Sequence, residues 1–226
     1  MTKLHGILAA HRFYPLVASS ALAAALLALR ISLSGRLTLA FLAWNLALAW
    51  IPWLCSTAAS TAKSRAGTVA AGVVWMAFLP NAPYLVTDFL HLKPRAPIPL
   101  WLDIALLASF AWAGCLLAVV SLRAMHVLVT RRFGAPAGWA FVAGATGLTG
   151  LGIYIGHFLR WNSWDLAVRP GAVLEDLLVR GTSPAAQLRV IGVTGAFAAM
   201  FLVTYLVFEG GRPAEGSLSR AQTTDP

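Results

Sequence analysis

The sequence predicts an all-α fold: a polytopic transmembrane helical bundle of six spans with a broken third helix, five or seven spans being the alternative counts. Composition is the first reason. Of 226 residues, 59% are hydrophobic and only 11% charged, with a mean hydropathy of +0.75. A soluble domain carries about 45–50% apolar and about 25% charged residues. A chain of this size buries about 70% of its surface on folding, and the rest would need polar cover that this sequence lacks. The second reason is the length of the apolar runs, since a helix needs about 20 such residues to cross a hydrocarbon core of about 30 Å. The third is that short loops join the runs, with no internal linker, so residues 1–209 form one domain.

The first span is expected over residues 13–29, between Arg12 and Arg30. Lys3 and Arg12 make a basic leader, and Ser32-Leu33-Ser34 has the small residues of a cleavage site. Further spans follow at once, which favours a retained signal-anchor. The second span covers about 37–58, where Asn45 would hydrogen-bond a neighbouring helix and Pro52 would kink the end. The third covers about 67–79, the fourth 99–122, the fifth 138–159 and the sixth 185–208. Residues 210–226 are rich in Gly, Pro, Ser and Thr and read as a disordered polar tail.

Net charge is +9. The bases are scattered singly between apolar runs, and the longest cluster is Arg131–Arg132. Such charges flank spans and meet anionic headgroups; they do not form a nucleic-acid footprint. The expected partner is membrane lipid, and nucleic acid is excluded. With six spans, nine Lys and Arg lie on the side of the termini and eight on the other. That near-tie leaves the weight on charge density along the loops, which leans towards both termini in the cytoplasm. Cys55 and Cys115 lie inside apolar runs and offer neither a disulfide framework nor a CxxC site.

The third span departs from the pattern. Residues 67–79 make about 20 Å of helix, short of the core thickness. Leu79-Pro80-Asn81-Ala82-Pro83-Tyr84 follows. Each proline lacks a backbone donor and disfavours helix in the residue before it. The helix is expected to break there, with Asn81 capping a second short helix that holds Pro83 in its first turn. Broken backbone at membrane depth requires surrounding protein or a wet cavity. On the second helix Asp88 and His91 stand at i and i+3, a spacing that lets a carboxylate orient an imidazole or both reach one ligand.

A second polar stretch, Gly156-His157-Phe158-Leu159-Arg160-Trp161-Asn162-Ser163-Trp164-Asp165, closes the fifth span. Trp161 and Trp164 suit an interfacial aromatic belt, and Asn162 with Asp165 resembles a capping box. The same residues also make a dense polar cluster at a span exit. In a six-span topology both stretches share one face with Asp103, which starts the fourth span. A carboxylate there needs a partner or water, and Arg160, His91 and His157 are in range by topology. The fifth span also carries Gly144, Gly147, Gly150, Gly152 and Gly156, a small-residue face suited to close helix packing. Val173, Leu174, Leu177 and Leu178 alternate with charges as in a helix lying on the membrane surface.

Three runs carry a family resemblance: Trp44-Asn45-Leu46-Ala47-Leu48-Ala49-Trp50-Ile51-Pro52, the stretch Leu79 to Asp88 with His91-Leu92, and Gly152-Ile153-Tyr154-Ile155-Gly156 with Phe158 to Asp165. Together they resemble domain of unknown function 1361, a family of bacterial multi-pass membrane proteins. The resemblance spans about residues 37–208. His157 departs from it, standing where the family pattern has an arginine. The resemblance implies bacterial origin and an inner-membrane location; it implies no reaction.

The candidate polar site is therefore Asn81, Asp88, His91, Asp103, His157, Arg160, Asn162, Trp164 and Asp165. No spacing supports a metal or cofactor, and no nucleophile elbow, zinc-helix, phosphate-loop or dinucleotide pattern occurs. Three functions compete. The first is a non-enzymatic protein that binds or passes a small molecule, ion or lipid at the broken helix, as discontinuous transporter helices do. The second is an interfacial enzyme acting on lipid or envelope material, with Asp88 or Asp103 as base and Arg160 as an anion clamp. The third is a structural or assembly partner whose polar residues merely close the bundle.

Overall fold

The computed structural model describes residues 3–180 and 183–210. Among them there is no β-strand, only one bridge between Arg95 and Ile98. A short α1 (Lys3–Ala10) precedes α2 (Phe13–Ser34), α3 (Phe41–Thr61) and α4 (Arg65–Phe78). Next come α5 (Asn81–Tyr84), a 3₁₀ turn over Leu85–His91, and the long α6 (Leu100–Phe133). Then follow α7 (Ala135–Tyr154), a π-turn over Ile155–Leu159, α8 (Asp165–Val168), α9 (Pro170–Arg180) and α10 (Pro184–Gly210). Of the disordered tail expected over 210–226, Gly210 closes α10 and the rest lies outside the described residues.

Among the described residues six helices are long and apolar enough to cross a membrane, the third being the composite Arg65–His91. The chain is a multi-pass membrane protein. The six-span, all-α expectation holds, with longer boundaries. The first span runs on to Ser34, which takes Arg30 inside the helix, and α6 is about 51 Å long at 1.5 Å per residue. Its C-terminal turns carry Arg131 and Arg132 where the helix dipole favours bases.

α6 is the central post. Helices α2, α3 and α7 pack on it, α4 packs on α3, and α10 leans on α7. Leu106, Leu107, Phe110, Ala113 and Leu117 of α6 are fully buried. In contrast α10 buries only Phe201 and Tyr205. Tyr205 meets His126 of α6 at 2.7 Å, and Glu209 pairs with Arg123. These contacts clasp the last helix at the end where α6 finishes. α9 is present as expected, with Val173 buried and Leu174 and Leu178 exposed.

The third span changes its hydrogen bonding at its two prolines. The helix is interrupted as expected, α4 ending at Phe78 and α5 starting at Asn81 with Pro83 in its first turn, yet Leu79, Pro80, Tyr84 and Leu85 all keep right-handed helical backbone. Pro83 has no N–H for the carbonyl of Leu79, so the amide of Ala82 donates there instead, at 3.2 Å. The carbonyl of Phe78 thereby loses its ordinary donor and takes the side-chain Nδ2 of Asn81 at 3.0 Å. Asn81 therefore repairs the ladder from behind and does not cap α5, whose N-cap is Pro80. Beyond Tyr84 the coil tightens to 3₁₀ pitch.

Glycines let this segment seat deeply. A Cβ at Gly114 would collide with the carbonyl oxygen of Ala82, and one at Gly152 would collide with the ring of Pro80. The glycine face of the fifth span thus receives the third span at Gly152 and α10 at Gly150, while Gly144 and Gly147 face open space.

Candidate functional site

The two polar stretches meet. Asn81 donates to Ser163 Oγ at 2.7 Å, across 82 residues of sequence. Around that bond lies a cavity of about 140 Å³ between α3, α5 and the end of the fifth span. Asn45, Asn81, Asn162 and Ser163 give it polar walls, and Trp44, Tyr84 and Trp161 give it aromatic ones. No side chain lining it is charged. Gly156 brings the π-turn against the Tyr84 ring, where an added Cβ would sit 3.4 Å from a ring carbon.

Local chemistry shapes each wall. Arg160 ends the π-turn at φ 61°, in the left-handed region, and turns the chain back on itself. The carboxylate of Asp165 accepts the backbone N–H of Asn162 at 2.8 Å and a longer contact from its side-chain amide at 3.4 Å, although the N-cap of α8 is Trp164 and not the expected Asn162. Arg169 pairs with the same carboxylate at 3.5 Å. Trp161 Nε1 donates to Asp176 at 3.0 Å, anchoring the loop on α9. On the opposite wall Asn45 Nδ2 donates to Asp88 Oδ2 at 3.1 Å.

Of the predicted residues, Asn81 and Asn162 line the cavity; the others stand outside its lining. Asp88 is 2% exposed and lies behind Asn45. His91 is exposed and rests its ring on Phe41, with centroids 4.9 Å apart. His157 faces an apolar groove with Val86, Phe158 and Phe197, next to Tyr84. Arg160 and Trp164 are exposed, and Asp165 is buried as the brace of Asn162.

Asp103 belongs to a separate cluster. Its partner is none of Arg160, His91 and His157. Arg30 Nε donates to Asp103 Oδ1 at 2.8 Å, both side chains being almost fully buried, and Arg30 Nη1 donates to Thr38 at 2.7 Å. Arg95 approaches the other oxygen at 3.8 Å while bonding the carbonyl of His91 at 3.0 Å. This seam locks α2 to α6 and ties down the loop after the 3₁₀ turn. Sequence reasoning missed Arg30, which stands at the end of an apolar run and looks like a flanking charge. It also passed over Tyr84 and Ser163 as cavity walls. Among the described residues no group of three metal-ligating side chains occurs.

The sequence model of a family described as "Protein of unknown function (DUF1361)" matches residues 44–204, well over half of the chain. The chain belongs to that family. No curated protein and no solved structure matches it. The match contains both cavity walls and leaves Arg30 outside.

Proposed function

We propose that this member of the DUF1361 family is a non-enzymatic membrane protein that binds a small molecule or a lipid headgroup in the cavity beside the composite third span. One observation carries the reading: a polar but uncharged cavity lies between α3, α5 and the end of the fifth span, its amides braced by Asp88, the Phe78 carbonyl, Ser163 and Asp165. Small-molecule sites have this make-up, apolar and aromatic walls with a few placed polar groups. Catalysis is less well supported, because Asp88 and Asp103, the carboxylates it would use, are held by Asn45 and Arg30 outside the cavity lining. The resemblance to bacterial proteins supports a plasma-membrane location. The charge density of the loops supports cytoplasmic termini, with the cavity at the opposite face.

Two experiments test this. Protein purified in mild detergent is expected to retain a bound species by native mass spectrometry, and Ala77→Trp, which fills the cavity, is expected to lose it. Equal retention by both proteins would end the reading. For sidedness, Lys93→Cys in a Cys55→Ser, Cys115→Ser background should react with an impermeant thiol reagent added from outside intact cells. Reaction only in inverted vesicles would reverse the orientation.

A further inference from the structure

The donors and acceptors of the cavity are unevenly disposed. Asn45 Nδ2 is held by Asp88, and Asn81 Nδ2 is shared between the Phe78 carbonyl and Ser163. Asn162 Nδ2 turns to Asp165, and the indole N–H of Trp161 turns to Asp176. A carboxylate and a backbone carbonyl only accept, so these partners fix which end of each amide is nitrogen. The three Oδ1 atoms are thereby the free ends of these amides, and none accepts a hydrogen bond from a described residue. Behind the Asn45 amide lies the buried carboxylate of Asp88, which adds negative potential on the cavity side, whereas Asp165 behind Asn162 is paired with Arg169. Aromatic rings complete the walls.

Resting on the binding reading above, the geometry points to a primary ammonium group as the ligand chemistry of this cavity. An ammonium offers three donors and no acceptor, the complement of three unclaimed amide oxygens. Trp44 and Tyr84 add electron-rich faces that attract cations, while the Trp161 ring already carries the Arg169 guanidinium 5.8 Å from its centroid. The hydroxyls of Tyr84 and Ser163 are the lining's remaining neutral donors, so a phosphate would find two hydroxyls and no cation there, while the amide oxygens favour a ligand that donates. An ethanolamine-type lipid headgroup and a free alkylamine share this chemistry. The apolar groove beside His157, lined by Val86, Leu90, Phe158 and Phe197, runs next to Tyr84 and would take an acyl chain.

The test uses the full-length protein in an uncharged detergent, with calorimetric titration at neutral pH and fixed ionic strength. Ethanolamine is expected to bind at least about tenfold more tightly than choline, which keeps the charge but has no N–H to donate. Trp44→Leu, at a side chain 60% exposed and therefore safe for folding, should weaken ethanolamine about three- to tenfold. Short-chain phosphatidylethanolamine is the lipid arm. Binding tighter than that of ethanolamine, with phosphatidylglycerol inert, assigns the lipid source; binding equal to it assigns the free amine. Choline or potassium binding as tightly as ethanolamine overturns the ammonium assignment. Glycerol or phosphatidylglycerol binding while amines do not overturns it too, but leaves the cavity-binding reading standing. If none of these probes binds, and native mass spectrometry finds no retained species, both readings fall.

Discussion

The Arg30–Asp103 seam and the asparagine-lined cavity lie at the same end of the bundle and treat polarity in opposite ways. In the seam two formal charges face each other at 2.8 Å with almost no exposure. In the cavity wall there is no charge, and its carboxylates stand one layer back, holding amides in place. A buried ion pair joins helices and leaves nothing over for a ligand. An amide anchored on a buried carboxylate stays neutral at its outer end and still presents an oriented dipole. The contrast separates polar residues that close the bundle from polar residues that leave an opening in it.

The largest expected effect is on the seam. Asp103→Leu strands the Arg30 guanidinium and should cost about 3–5 kcal/mol, read from a detergent-denaturation series. Arg30→Met combined with Asp103→Leu should recover most of that loss, since two well-packed apolar side chains replace a matched pair. If the double variant is as unstable as the single one, the seam does more than neutralise itself. Cavity occupancy should be unchanged in the double variant.

Next in size is the seat of the third span. Gly114→Ala sets a methyl against the Ala82 carbonyl and should cost about 1–3 kcal/mol by overpacking. Gly144→Ala, facing open space, is the matched control and should be close to neutral. Asn45→Ala removes the hydrogen bond to a buried carboxylate and should also cost about 1–3 kcal/mol. Unlike Gly144→Ala it should abolish ligand retention as well, because one substitution removes both a brace and a wall.

The spans were legible because apolar runs of bilayer length have few alternatives. The two prolines marked the third span correctly, but the sequence-level rule that the residue before proline leaves the helix lost to packing. Leu79 is fully buried and Pro80 is seated on Gly152, so the backbone stays right-handed while its hydrogen bonds shift. Asn81 and Asn162 were visible as polar residues in greasy surroundings. Arg30 was not, since a base closing an apolar run has the same signature whether it faces headgroups or a carboxylate 73 positions away. Tyr84 and Ser163 were hidden for another reason: ordinary residue types become cavity walls only when distant segments meet.

The smallest effect sharpens the comparison most directly. Arg160 is a cation on the cavity loop, yet its side chain is exposed and outside the lining. Its backbone sits at φ 61°, where a Cβ is unfavourable and glycine is at ease. Arg160→Gly should therefore change stability by only about 0–1 kcal/mol, in the stabilising direction. Ligand retention should stay as it is. Loss of retention, with stability unchanged or raised, would make Arg160 part of the binding machinery. The division between closing charges and an uncharged cavity would then fail at the one residue placed to bridge them.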